Sequence, residues 1–226
     1  MNGSFQLFHI RGIPLRVHIT FPLILIWSMI QFGWISGLGW PGAIFGALAT
    51  LLLFGIVVLH ELGHAIAAQQ YGVDVREIVL LPIGGVAQLG HIPEKPAQEF
   101  VIAVAGPAVN FAIALIMWLA NGLTGIGGSL RDPALLVFGF GRLDVDTLFS
   151  YIFTANLFLA LFNLIPAFPM DGGRVLRALL AMRLKYARAT AIAVTVGQTL
   201  AWLIGLWGFL GGGIFLILIA FFIYMG

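Results

Sequence analysis

The chain contains no cysteine. That excludes disulfides and any zinc site built on thiolates. Charge is scarce as well: Asp, Glu, Lys and Arg make up 9% of the 226 residues, against about 25% in a soluble domain. The net charge of +2 offers none of the strong positive field that nucleic acid requires, so no nucleic-acid partner is expected. The first eighteen residues are mixed rather than basic and then apolar, so no cleavable leader is expected. What remains is apolar. Hydrophobic residues reach 61% and the mean hydropathy is +1.05, which reads as an integral membrane protein in a lipid bilayer.

Six apolar segments stand out, at 19–36, 43–69, 99–121, 147–169, 188–207 and 209–225, each near the ~20 residues a helical span requires. The expected fold is therefore an all-α polytopic membrane protein, a single bundle over residues 1–226 with about six transmembrane helices. With six spans, the N-terminus and the loops near 70–98 and 170–187 share one side. That side holds Arg11, Arg16, Arg76, Lys95, Arg174, Arg177, Arg183, Lys185 and Arg188, nine of the eleven basic residues. Arg131 and Arg142 stay on the other side, diluted by Asp132, Asp144 and Asp146. The excess of Lys and Arg places both termini in the cytoplasm.

Two stretches depart from helical patterning. Ile13 to Ile19 alternates apolar and polar residues with the period of a strand, and Ser4 to Ile10 precedes it across Arg11-Gly12. An N-terminal hairpin is expected. Leu80 to Gly90 is apolar but too short and too glycine-rich to span. It reads as a strand or re-entrant segment near 83–90, dipping beside whatever site the bundle holds.

From Ala43 to Leu59 the chain runs without a charge and then reads His60-Glu61-Leu62-Gly63-His64. Positions four apart share a helix face, so the two imidazoles point the same way, one turn apart. Such a pair can grip one metal ion, and Glu61 beside it can act as general base toward water. An acidic side chain at the bilayer centre costs roughly 2.5–3.5 kcal/mol, a cost rarely carried without a use. The motif lies at the end of the second span, so the site belongs nearer the cytoplasmic face.

A catalytic zinc site generally takes three protein ligands. The candidate third is Asp171, in Asn163-Leu-Ile-Pro-Ala-Phe-Pro-Met-Asp171-Gly172-Gly173-Arg174, where Pro166 and Pro169 break the fourth span. The alternative role for Asp171 is to cap the helix that follows.

These residues resemble the site-2 protease family, the intramembrane zinc metalloproteases. Three motifs carry the resemblance: HELGH at 60–64, AGPAVN at 105–110 and NLIPAFPMDGGR at 163–174. The resemblance implies one zinc per chain held by His60, His64 and Asp171, with Glu61 as base. It further implies hydrolysis of a peptide bond in or near a transmembrane segment of a membrane-protein substrate. It points to the compact branch without a PDZ insertion, whose members often carry cytoplasmic CBS domains that are absent from this sequence.

Candidates for stabilising the oxyanion or binding substrate are less determined. Asn163 precedes Asp171 closely, and Asn110 shares a face with Ala103 and Gly106; Asn110 reads equally as glue between membrane helices. Gly84, Gly85 and Val86 lie in the expected edge strand, where an extended substrate could add as a further strand. His9, His18 and His91 are isolated and read as interfacial. The rival class is a transporter or metal-binding membrane protein lined by the same buried His/Asp cluster. It leaves Glu61 without a role.

Overall fold

A computed structural model describes residues 3–82, 84–90, 95–127 and 143–226. His91 and the group Arg131, Asp132 and Arg142 lie outside the described residues. The N-terminal hairpin forms where the alternation places it: β1 (Ser4–Ile10) pairs antiparallel with β2 (Ile13–His18). The turn residues Arg11 and Gly12 take φ of 51° and 83°, a region that glycine enters freely.

Helix α1 (Phe21–Ile30) follows, with Pro22 in its first turn, and runs into a π-helical turn at Gln31–Ile35. Helix α2 (Gly39–Gln70) returns beside it. Gly42 and Gly46 admit the close crossing, since a β-carbon at either would fall within 3 Å of Phe32.

Strands β3 (Val75–Leu81) and β4 (Gly84–Leu89) come next. Together with the hairpin they make one four-stranded sheet in the order β1-β2-β3-β4. The stretch from Leu80 to Gly90 thus holds the end of β3 and the whole of β4, paired antiparallel, so the segment near 83–90 is a strand within a sheet. Strand β3 is not expected from the sequence. Ile13, Leu15, Val75 and Ile78 of the sheet pack with Phe54, Leu62, Ala65 and Ala68 of α2. The sheet therefore lies along the last turns of that helix.

Among the described residues there follow α3 (Pro96–Thr124), α4 (Val145–Asn163), the short α5 (Asp171–Ala181) and α6 (Tyr186–Trp207). After a π-helical turn at Gly208–Gly212 comes α7 (Ile214–Met225). Asp144 caps α4 by accepting from the Thr147 N–H at 2.8 Å. Two boundaries lie furthest from the expected ones. The fourth apolar segment ends as helix at Asn163, not 169, because Pro166 and Pro169 cannot continue the ladder. The last begins at Ile214, not 209.

Among the described residues, four helices are long and apolar enough to cross a membrane: Gly39–Gln70, Pro96–Thr124, Val145–Asn163 and Tyr186–Gly212. Phe21–Ile35 and Ile214–Met225 are apolar but shorter.

The sheet also fixes relative sidedness. Strand β2 enters α1 and β3 leaves α2, yet the two strands pair in parallel, Leu15 opposite Ile78 and Val17 opposite Leu80. The start of α1 and the end of α2 must therefore lie at the same end of the bundle. Gly226, at the end of α7, touches Phe168 and Pro169, close before α5.

Candidate metal centre and cleft

Helix α2 presents His60 and His64 on one face, with ring centroids 4.8 Å apart. Helix α5 presents Asp171 at its first residue. All three are buried. Asp171 Oδ2 lies 3.2 Å from His60 Nε2 and 3.0 Å from His64 Nε2, and the two Nε2 atoms are 3.1 Å apart. One ligand atom from each residue lies within 4.8 Å of the others, a group that could hold a metal ion.

The surroundings prepare both rings for that use. His64 Nδ1 lies 2.6 Å from the Ile102 carbonyl oxygen. A carbonyl only accepts, so Nδ1 carries the proton and the Nε2 lone pair faces the cluster.

His60 is fixed by a longer chain. Asn156 Nδ2 donates to the Ile152 carbonyl at 2.9 Å, which turns its Oδ1 toward Asn110. Asn110 Nδ2 donates to that oxygen at 3.0 Å, leaving Asn110 Oδ1 2.5 Å from His60 Nδ1. That nitrogen must be the donor, so the Nε2 lone pair of His60 also faces Asp171. Two imidazole lone pairs and a carboxylate converging in a buried space match the donor set of a catalytic zinc site.

Room for an ion is kept by Gly106 on α3. A β-carbon there would stand 2.2 Å from His64 Nε2 and 2.7 Å from His60 Nε2. Gly63 serves the same end at the helix crossing, since a β-carbon on it would fall 2.8 Å from the Ala105 carbonyl. Gly172 and Gly173 let the Leu164–Phe168 backbone fold tightly onto the start of α5. Asp171 thus begins its helix and still faces the histidines.

A cleft of about 280 Å³ opens beside the cluster. His60, Glu61, Gly84, Gly85, Val86 and Asn163 all lie on its wall. Glu61 Oε2 accepts from the Ala87 N–H at 2.9 Å, so the carboxylate is held at the edge of β4 and not inside the metal cluster. Gly85 packs directly on that side chain, its β-carbon position 2.8 Å from Glu61 Cγ. Asn163 donates one N–H to the Leu159 carbonyl at 2.9 Å. Its second amide proton remains available. Asn110 is completely buried and takes no part in the cleft wall.

Three residues act at the site in ways the sequence does not show. Asn156 is a lone amide in an apolar helix, Ala87 acts through its main chain, and Gly106 acts by what it lacks. Glu99, an acid at a span entrance, is closed off: it is fully buried and accepts from Arg177 Nε at 3.0 Å. The guanidinium of Arg177 lies over the rings of Phe168 and Tyr186, 5.1 Å from each.

Residues 48–131 and 140–204 match peptidase family M50. The chain belongs to that family. The resemblance carried by HELGH, AGPAVN and NLIPAFPMDGGR is borne out. Among its relatives, a zinc metalloprotease of Methanocaldococcus jannaschii is 42% identical over 229 residues, covering all of this chain and 60% of that protein. Stage IV sporulation protein FB of Bacillus subtilis is 28% identical over 187 residues, covering 82% of this chain and 58% of that protein. The chain thus spans about three fifths of the length of these relatives. A solved structure described as a site-2 protease from Methanocaldococcus jannaschii superposes with a TM-score of 0.67 at 41% identity. That match covers 99% of this chain and 93% of the other.

Proposed function

We propose that this M50 chain is an intramembrane zinc metalloprotease that hydrolyses a peptide bond in or near a transmembrane segment of a membrane protein. The observation that carries the reading is the buried convergence of His60 Nε2, His64 Nε2 and Asp171 Oδ2 beside a cleft that also holds Glu61. In this reading His60, His64 and Asp171 hold one zinc per chain. Bound there, zinc supplies Lewis-acid polarisation of the scissile carbonyl and makes water a competent nucleophile near neutral pH.

The protein's own groups do the rest. Glu61 takes the proton from the attacking water and returns it to the leaving amine. The Ala87 N–H holds the carboxylate at the cleft wall until substrate enters. Asn163 offers its free N–H to the developing oxyanion. Asn110 acts behind His60, fixing the ring and not touching substrate. A substrate segment lies in the cleft in extended form, beside Gly84, Gly85 and Val86, because a helical segment has every carbonyl already bonded.

The six apolar helices cross the bilayer, with both termini and the sheet on the cytoplasmic side and the site toward that face. The parallel β2–β3 pairing supports this arrangement, since it joins two segments that the distribution of basic residues also assigns to one side. His60 stands ten residues before the end of α2, about 15 Å along the helix axis. Metal analysis tests the site: wild-type protein should bind close to one zinc per chain, and Asp171→Ala should bind it far more weakly. Full occupancy at unchanged affinity in that variant would remove Asp171 from the ligand set.

A further inference from the structure

Strand β1 carries large apolar residues that stand exposed among the described residues. Phe5 is 64% exposed and Phe8 is 51% exposed. Three positions apart, two residues of a regular strand would face opposite ways. Here the register slips between Gln6 and Phe8, so that Phe5 pairs with Val17 and Phe8 with Leu15. The irregularity absorbs Leu7 and returns both phenylalanines to one face. It is the face on which Leu15 and Ile13 pack into the core against Phe54 and Leu62 of α2. Beyond β2 the sheet has run past the helices, and its apolar face continues as an overhang.

The opposite face is polar and tied together. Arg16 Nε donates to Ser4 Oγ at 2.8 Å, and the same guanidinium lies 3.4 Å from Glu77 on β3. Gln6 and His9 lie on this face too, opposite Arg16 and Pro14. Arg11 stands exposed at the hairpin tip. The hairpin is thus an amphipathic ribbon, one side aromatic and the other hydrogen-bonded and wet.

We propose that the β1 overhang is a membrane-docking surface, with Phe5 and Phe8 inserted at the headgroup–acyl boundary of the cytoplasmic leaflet. The inference rests on the reading that the long helices span the bilayer. Lipid is the occupant for two reasons. The ribbon joins α1 through only Ile19 and Thr20, and α1 displays Leu23, Ile26 and Trp27 outward, so one apolar surface continues from helix to hairpin. The exposed cation at the tip suits anionic headgroups, and nine of the eleven basic residues share this side. Docking by the edge strand holds the sheet at a set depth and keeps the far edge, β4, aligned with the cleft.

The absence of cysteine makes the test direct, because any introduced thiol is unique. Gln6→Cys, Phe8→Cys and Ile26→Cys variants of the full chain are spin-labelled and reconstituted in phosphatidylcholine–phosphatidylglycerol vesicles. Collisions with oxygen and with a water-soluble nickel chelate are then compared. The Phe8 label should meet oxygen several-fold more readily than nickel, resembling Ile26 on α1, while the Gln6 label shows the reverse order. Nickel access at Phe8 equal to that at Gln6 overturns the proposal, and exclusion of both reagents at Phe8 overturns it in favour of a protein partner. If Ile26 remains oxygen-rich in those cases, the spanning reading survives and only the docking surface falls. Nickel access at Ile26 as well removes both. Proteolytic activity plays no part in the readout.

Discussion

Asn110 on α3 donates its side-chain amide to Oδ1 of Asn156 on α4 at 3.0 Å, and both residues are completely buried. This contact decides which nitrogen of His60 carries the proton, because the chain of donors is anchored on a backbone carbonyl. Partners that orient a ligand imidazole typically contribute 10–100-fold to metal affinity. Asn110→Ala should therefore weaken zinc binding about 10–100-fold. Asn156→Leu should weaken it less, about tenfold, since Asn110 remains to meet His60. Competition against a chromophoric chelator measures both. Unchanged affinity in both variants would reduce the two amides to packing between helices.

Gly106→Ala makes a sharper case. The added carbon would fall 2.2 Å from His64 Nε2, inside the space between the ligands. The variant should fold, with helix content and melting close to wild type, and should bind little or no zinc. Normal zinc content would mean that the histidines can retreat without losing their geometry.

Glu61→Gln should abolish cleavage and leave zinc near one per chain, because the base stands apart from the three converging ligand atoms. Residual turnover above a few per cent of wild type would show that another group accepts the proton. Loss of zinc would make Glu61 a ligand.

The edge of β4 separates two proline substitutions. The Ala87 N–H points away from β3, onto Glu61; by alternation Val86 points its N–H into the sheet, toward β3. Ala87→Pro removes the donor that holds the base, so cleavage should fall steeply while zinc content and melting temperature hold. Val86→Pro instead breaks the β3–β4 ladder, which costs on the order of 1–3 kcal/mol and lowers the melting temperature. Equal behaviour of the two variants in both assays would contradict the role given to Ala87.

Much of this was legible in the residues. His60 and His64 declare themselves by a spacing of one helical turn, and the hairpin by strict alternation from Ile13 onward. Asp171 stands out because prolines and glycines isolate it at a helix start. Strand β3 was hidden because Ile78 to Leu81 is a continuous apolar run between a helix and a turn, which lacks the alternation of a half-exposed strand. Asn156 was hidden for another reason. An amide in an apolar helix shows that something is hydrogen-bonded, but only the packing of α4 on α3 reveals what. The expected end of α4 at 169 follows the apolar run Leu164 to Phe168, although Pro166 and Pro169 already mark a break there; the helix stops at Asn163, ahead of the first proline.

The central claim is that the buried His60–His64–Asp171 cluster and Glu61 cleave membrane-embedded chains by a zinc-dependent route. It is tested by incubating the purified, reconstituted protein with a transmembrane test substrate, then adding a zinc chelator, then restoring zinc. Mass spectrometry of the products should show a cut within or beside the transmembrane segment. That cut should vanish with chelator, return with zinc, and be absent throughout in Glu61→Gln. Cleavage that persists in the chelator, or that Glu61→Gln retains at the wild-type rate, would contradict it.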